Sequence, residues 1–150
     1  MPTITPFLWF ENQAEQAMEH YLSIFKNGRK LDVSRLGDGV LTVRFEIEGQ
    51  RFIGLNAGPH DKFNEAVSFF ISCETQQEID YYWEKLTAGG SVSGPGWLKD
   101  KFGVSWQVIP TALGRLMSDP DPAKAQATVA AMMKMKKLVI SDLQKAHDEA

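Results

Sequence analysis

Three histidines, a single cysteine and an alternating arginine–glutamate pair are the groups in this 150-residue sequence whose types could carry chemistry. Metal coordination needs imidazoles or carboxylates at recurrent short spacings. His20, His60 and His147 fall in three separate regions and suit no common site. Nucleophilic catalysis needs an activated thiolate. Cys73 closes the apolar run VSFFISC and reads as a buried small hydrophobe before it reads as a nucleophile. Proton transfer has two sources: His60 in the loop AGPHDKFNEA, and Arg44 with Glu46 on one face of the run VLTVRFEIE. Each has a structural alternative. His60 could be held by backbone carbonyls in its loop, and Arg44 and Glu46 could be a solvated strand face paired with its neighbours. Asn56, before Ala57-Gly58-Pro59, suits a turn as well as a ligand.

Composition narrows the partners. A net charge of −3 and a pI of about 5.6 leave nothing to draw the chain to nucleic acid or anionic lipid. The cluster Lys134, Lys136 and Lys137 is too small and too helical to change that. The lone cysteine excludes an internal disulfide and a Cys-rich metal site. The start, MPTITPFLWFENQ, lacks the basic region and apolar run of a signal peptide. No apolar stretch approaches the ~20 residues of a membrane span, so a cytoplasmic protein with no membrane partner is expected. Hydrophobic and charged contents of 43% and 23% suit a globular chain. One of this size buries roughly 70% of its unfolded surface, and a single domain over 1–150 is expected.

The elements that must position these groups follow from periodicity. Residues 3–10 read as a strand. Asn12, with Glu15 three residues on, has the spacing of a capping box for a helix that Gly28 ends. Residues 29–36 and 40–48 flank the turn Gly37-Asp38-Gly39, and Glu48-Gly49-Gln50 leads into 51–57. After the loop the order restarts: strand 67–73, a helix capped by Thr75 with Glu78 and stopped by Gly89-Gly90, then strands near 91–93, 96–99 and 104–109. One register shift carries Met18, Tyr21, Leu22, Phe25 and Gly28 onto Ile79, Tyr82, Trp83, Leu86 and Gly89. The same shift carries Leu8, Trp9 and Phe10 onto Phe69, Phe70 and Ile71, so the chain is read as a tandem βαβββ repeat, with modules at 3–57 and 66–110.

The tail, 111–150, departs from the repeat and is expected to be helical. Asp121 and Pro122 suit the start of a helix running to about 137, and Ser141 could cap a shorter one. Val129, Met132, Met133 and Met135 are expected to cover an apolar surface of the same chain or of a second subunit.

The segments ITPFLWFENQAEQAMEHY, FIGLNAGPHDKFNEAVSFFISCET, GWLKDKFGVSWQVIPTAL and DPDPAKAQATVAAMMKMKKLVISDL resemble the PhnB-like branch of the vicinal oxygen chelate superfamily. That superfamily includes glyoxalases, bleomycin-resistance proteins and extradiol dioxygenases, and the branch is often labelled a 3-demethylubiquinone-9 3-methyltransferase domain. The resemblance implies an α+β fold in which two βαβββ modules form an open barrel-like cleft, with a helical C-terminal extension, and it implies a homodimer. Metal-dependent members place His, His and Glu in the cleft. The pattern around the last of these falls on Asp100, Gly103 and Gln107, with glutamine where the glutamate would stand. The histidine positions land near Thr5 to Phe7 and near Ser68, and neither offers an imidazole. A neutral amide brings no charge to offset a dication, so no metal and no other cofactor are expected.

Alternation then assigns faces, with each helix covering the more apolar side of its half-sheet. Val104, Trp106 and Val108 should face the helices, and Ser105, Gln107 and Ile109 the cleft. Thr42, Arg44 and Glu46 join them, as do Phe52, Gly54 and Asn56, and Ser68, Phe70 and Ser72, with Phe7 and Trp9 as counterparts. The expected ligand-binding set is Phe7, Trp9, Arg44, Glu46, Asn56, Ser68, Phe70 and Gln107, with Phe52 as a further wall. Its aromatics read as core or dimer interface slightly before they read as ligand contacts. The leading reading is a small-molecule binding protein. A metal-independent enzyme using Glu46, His60 or Arg44 is the alternative. A methyltransferase finds little support, because no Gly-rich turn follows a buried parallel strand.

Overall fold

Glu48 and Gly49 both take positive φ, 48° and 83°, the two-residue turn whose twist suits a hairpin. In the computed structural model, which describes residues 1–150, this turn folds β3 (Gly39–Ile47) onto β4 (Gln50–Asn56). They belong to a first unit, residues 1–63, with β1 (Phe7–Phe10), α1 (Ala14–Ile24) and β2 (Gly28–Leu36). Its four strands lie in the order β1-β4-β3-β2, with only β1 and β4 parallel. The second unit, residues 64–150, holds β5 (Phe69–Cys73), α2 (Gln76–Thr87), β6 (Ser91–Gly94), β7 (Trp97–Lys99) and β8 (Ser105–Pro110). Its sheet repeats the order, β5-β8-β7-β6, again with one parallel pair. Both sheets are open and the class is α+β, the tandem βαβββ arrangement expected from the repeat. Helices α3 (Thr111–Met117), α4 (Pro122–Met132) and α5 (Ile140–Asp148) complete the chain.

Each sheet buries the side its helix covers. Val43, Phe45 and Ile47 of β3 are buried with Met18 and Tyr21 of α1. Trp106 and Val108 of β8 are buried with Ile79 and Leu86 of α2.

Several local expectations need correction. The first strand begins at Phe7, not at residue 3, because Pro6 has no N–H for the ladder; its carbonyl still accepts from Ile53. Asn12 does not cap α1. The helix starts at Ala14, whose N–H donates to the side-chain oxygen of Asn56 at 2.8 Å. Thr75 does cap α2, accepting from the Glu78 N–H, while Glu78 accepts from the backbone of Glu74. The helix expected to run to 137 stops at Met132. Residues 133–138 turn back so that Lys136 can accept from the Gly96 N–H and Leu138 can enter a core with Ile109, Leu113, Leu116 and Leu143. Ile109, expected in the cleft, is therefore covered by the tail, and Met132 and Met135 pack on the same cluster. Ser141 caps nothing. The N–H of Ile140 donates instead to Gln76 of α2.

The tail is closed by charge. His147 bonds Asp148 through Nδ1 at 3.1 Å and Asp119 through Nε2 at 2.8 Å, and Lys124 donates to the carbonyls of His147 and Ala150. The bonds to Asp148 and then Asp119 raise the His147 pKa. A raised folded pKa stabilises below the unfolded value of about 6.5 and is lost as pH rises through the folded pKa. Backbone and imidazole donors lower Asp119, and the imidazole lowers Asp148, so their contribution is lost only at acid pH. Amide exchange in α5 should accordingly quicken, beyond the intrinsic base-catalysed increase, as pH rises above that of free imidazole. His147→Gln should remove the extra acceleration.

Candidate functional site

The turn after β7 is organised by one buried carboxylate. Asp100, 3% exposed, accepts at Oδ1 from the Phe102 and Val104 N–H groups, at 2.8 and 3.0 Å. At Oδ2 it accepts from the Trp106 indole at 2.9 Å. Gly103, at φ 89°, closes the turn. Trp106 is thereby pinned on the α2 side, and the next residue, Gln107, must point to the opposite, open side.

On that open side the register places Phe70, Gln107 and Trp97 in one cross-strand row over β5, β8 and β7. Phe70 is 58% exposed. Gln107 donates from Nε2 to the Ser68 hydroxyl at 2.9 Å. This leaves the hydroxyl hydrogen of Ser68 and the carbonyl oxygen of Gln107 for a further partner. Lys99, on the same side, pairs with Glu65. The structure thus joins two of the expected site residues directly. Trp97 was not anticipated: β7 has only three residues, too few for alternation to show its face.

The first sheet has an open side of its own. Its rows are Phe7, Ile53, Arg44 and Asp32, then Trp9, Leu55, Thr42 and Ser34. Phe7 is 55% exposed; the Trp9 indole donates to the Gly58 carbonyl at 3.0 Å. Thr42 and Ser34 share a hydrogen bond. Glu46 lies between its two cross-strand neighbours, Arg29 at 3.4 Å and Arg51 at 3.5 Å. Arg44 is exposed and makes no ion pair.

The faces assigned to residues 51–57 are inverted. Phe52 is buried and stacked on Phe45 at 5.4 Å on the helix side, and a Cβ on Gly54 would meet Val43, Phe10 and Ala14. The small residue at 54 lets α1 approach, so Ile53 and Leu55 take the open side. Asn56, expected at the ligand, caps α1 and donates to the Val40 carbonyl at 3.1 Å. Both ends of its amide serve the fold.

The remaining reactive groups are scattered. Burial, then the Glu78 charge, pushes the Cys73 thiol up to about 11, so it stays protonated at neutral pH. His60 is exposed after Gly58, His20 packs against Tyr21, and His147 is held in the tail. No group of three or more His, Cys, Asp or Glu is arranged to hold a metal ion. At the two positions of the second unit where the resemblance implies ligands, Ser68 and Gln107, stand a hydroxyl and an amide bonded to each other. These residues do not fit a divalent cation.

Residues 2–109 match the model of a family described as 3-demethylubiquinone-9 3-methyltransferase. A PhnB protein from Bacillus cereus, given the same description, is 34% identical, over 73% of this chain and 100% of its own, with a TM-score of 0.69. A glyoxylase/bleomycin resistance protein/dioxygenase domain from Frankia is 13% identical over 73% and 92% of the two chains, TM-score 0.52. A fosfomycin resistance protein from Listeria monocytogenes, complexed with Mn(II) and sulfate, is 17% identical over 70% and 88%, TM-score 0.50. These last two likenesses are of fold. No curated protein matches the chain.

Proposed function

Because this chain belongs to the 3-demethylubiquinone-9 3-methyltransferase, or PhnB-like, family of the vicinal oxygen chelate superfamily, we propose that it keeps that scaffold to bind a small organic molecule by hydrogen bonds and aromatic contact, without a metal. The observation that carries this reading is the Gln107–Ser68 hydrogen bond. It occupies two positions where metal-dependent relatives are expected to carry ligands, and it lies in a row flanked by Phe70 and Trp97. An amide and a hydroxyl between two aromatic side chains suit a flat molecule bearing a carbonyl or hydroxyl group. On the first sheet, taken by itself, Phe7, Trp9 and Arg44 stand on the open side.

Catalysis by Glu46 or His60 has less support, since Glu46 is held by two arginines and His60 sits on an exposed turn. For methyl transfer, the segments after the parallel strands β1 and β5 read Glu11-Asn12-Gln13 and Glu74-Thr75, without the glycines a nucleoside cofactor needs. The reading includes a homodimer in the cytoplasm. No helix is long and apolar enough to cross a membrane, and Val67 is an exposed apolar residue of the kind an interface covers.

The test is mass spectrometry of the protein isolated under native conditions from its own cells. An organic molecule should be retained by the wild type and fall at least about tenfold in Gln107→Ala, the scale of losing a buried hydrogen-bond partner. An empty wild type, or retention unaffected by that substitution, would sink the proposal.

A further inference from the structure

We infer that the open side of the first sheet selects an organic anion, a carboxylate on an apolar body, and that Arg44 receives it. This rests on the binding reading above and adds the charge of the ligand. Arg44 stands on β3, between β2 and β4, so its guanidinium rises from the middle of the sheet rather than from an edge. Its row neighbours toward β1 are Ile53 and Phe7, an apolar floor ending in an exposed ring.

Other charges on this side are already matched or displaced. Glu46 is satisfied by Arg29 and Arg51, and cannot also neutralise Arg44 without giving them up. Asp32 is opposite Arg44 in register, but the pairing slips between Lys30 and Asp32 and no ion pair forms. Arg29, Arg44 and Arg51 therefore outnumber Glu46 and Asp32 on one side of a chain whose net charge is −3. A local excess of positive charge, with a weakly hydrated guanidinium beside apolar side chains, is complementary to a carboxylate. The guanidinium can receive it through two parallel N–H···O bonds. A neutral ligand would leave the same arginine unused.

Benzoate and benzyl alcohol, similar in size and differing in charge, serve as probes, followed by NMR titration of the indole signal of Trp9. Benzoate should saturate the wild type and bind at least about tenfold more weakly to Arg44→Gln, as expected for loss of a charge-assisted pair. It should be nearly unaffected by Lys85→Gln, an exposed cation on α2. Benzyl alcohol should bind weakly and equally to all three. If benzoate binds Arg44→Gln as tightly as wild type, or Lys85→Gln loses as much, Arg44 is not the receptor. If benzoate binds wild type no better than the alcohol, the ligand is not selected by charge and the inference fails, while organic-ligand binding stands. If neither probe binds, the inference fails, and the retained-molecule experiment decides separately whether the binding reading fails with it.

Discussion

Asp100→Ala is expected to lower the unfolding free energy by about 4 kcal/mol and the melting temperature by roughly 10 °C. The substitution strands three donors: the backbone N–H groups of Phe102 and Val104 and the indole of Trp106. Val104 and Trp106 are buried, so water cannot replace the carboxylate cheaply. Asp100→Asn should cost about half as much, because Oδ1 can still accept from both backbone groups and only the indole meets a second donor. Adding Trp106→Phe to Asp100→Asn should then cost less than it does in the wild type, since the indole hydrogen bond is already lost and the substitution removes the donor left facing the amide. Chemical denaturation of the wild type and the four variants checks this. Equal losses for Asn and Ala would show that the indole contact, not the turn, dominates.

Gly90→Ala should be nearly as severe, about 3 kcal/mol. A Cβ there would run into the carbonyl oxygen of Lys99 and lie 2.9 and 3.0 Å from backbone atoms of Asp100. Neither neighbour is a side chain that can swing away. Gly90 also follows Gly89, whose φ of 76° reverses the chain after α2. The end of β7 would be displaced together with the Asp100 turn. Gly114→Ala is the contrasting case: it sits in α3 with open space around it and should gain up to about 1 kcal/mol. If both glycine variants melt alike, the backbone approach at residue 90 is not tight.

The repeat, the hairpin turns and the faces of β3 and β8 were legible because alternation and turn chemistry are local. Thr42, Arg44 and Glu46 sit opposite buried Val43, Phe45 and Ile47, as the pattern requires. Failures occurred where a distant residue decided the outcome. Asn56 caps α1 and Gln76 caps α5 from across the chain, so local capping signals at Asn12 and Ser141 misled. In β4 both faces carry large apolar residues. Only the closeness of α1 to Gly54 fixes which face is buried, and no periodicity expresses that. Ile109 alternates correctly with Val108, yet the tail folds over it.

The candidate site was legible in part for the same reason. Gln107 and Ser68 lie on adjacent parallel strands, and the shared repeat register brought them to one side. Asp100 organises a turn and holds Trp106, so the Asp–Gly spacing has a structural use in a chain that carries an amide at position 107. The turn is structural with or without a metal. What sequence alone could not separate was Glu46 from Arg44. Only the structure shows the first held between two arginines and the second without an ion pair.

The central claim is that Gln107 and Ser68 have replaced coordination by a hydrogen bond. Metal analysis of the purified protein after equilibration with manganese, zinc or nickel and exhaustive dialysis tests it most directly. The account predicts that no metal remains in stoichiometric amount and that the melting temperature is unchanged by the treatment. One tightly held ion per chain, lost on Gln107→Ala, would contradict it.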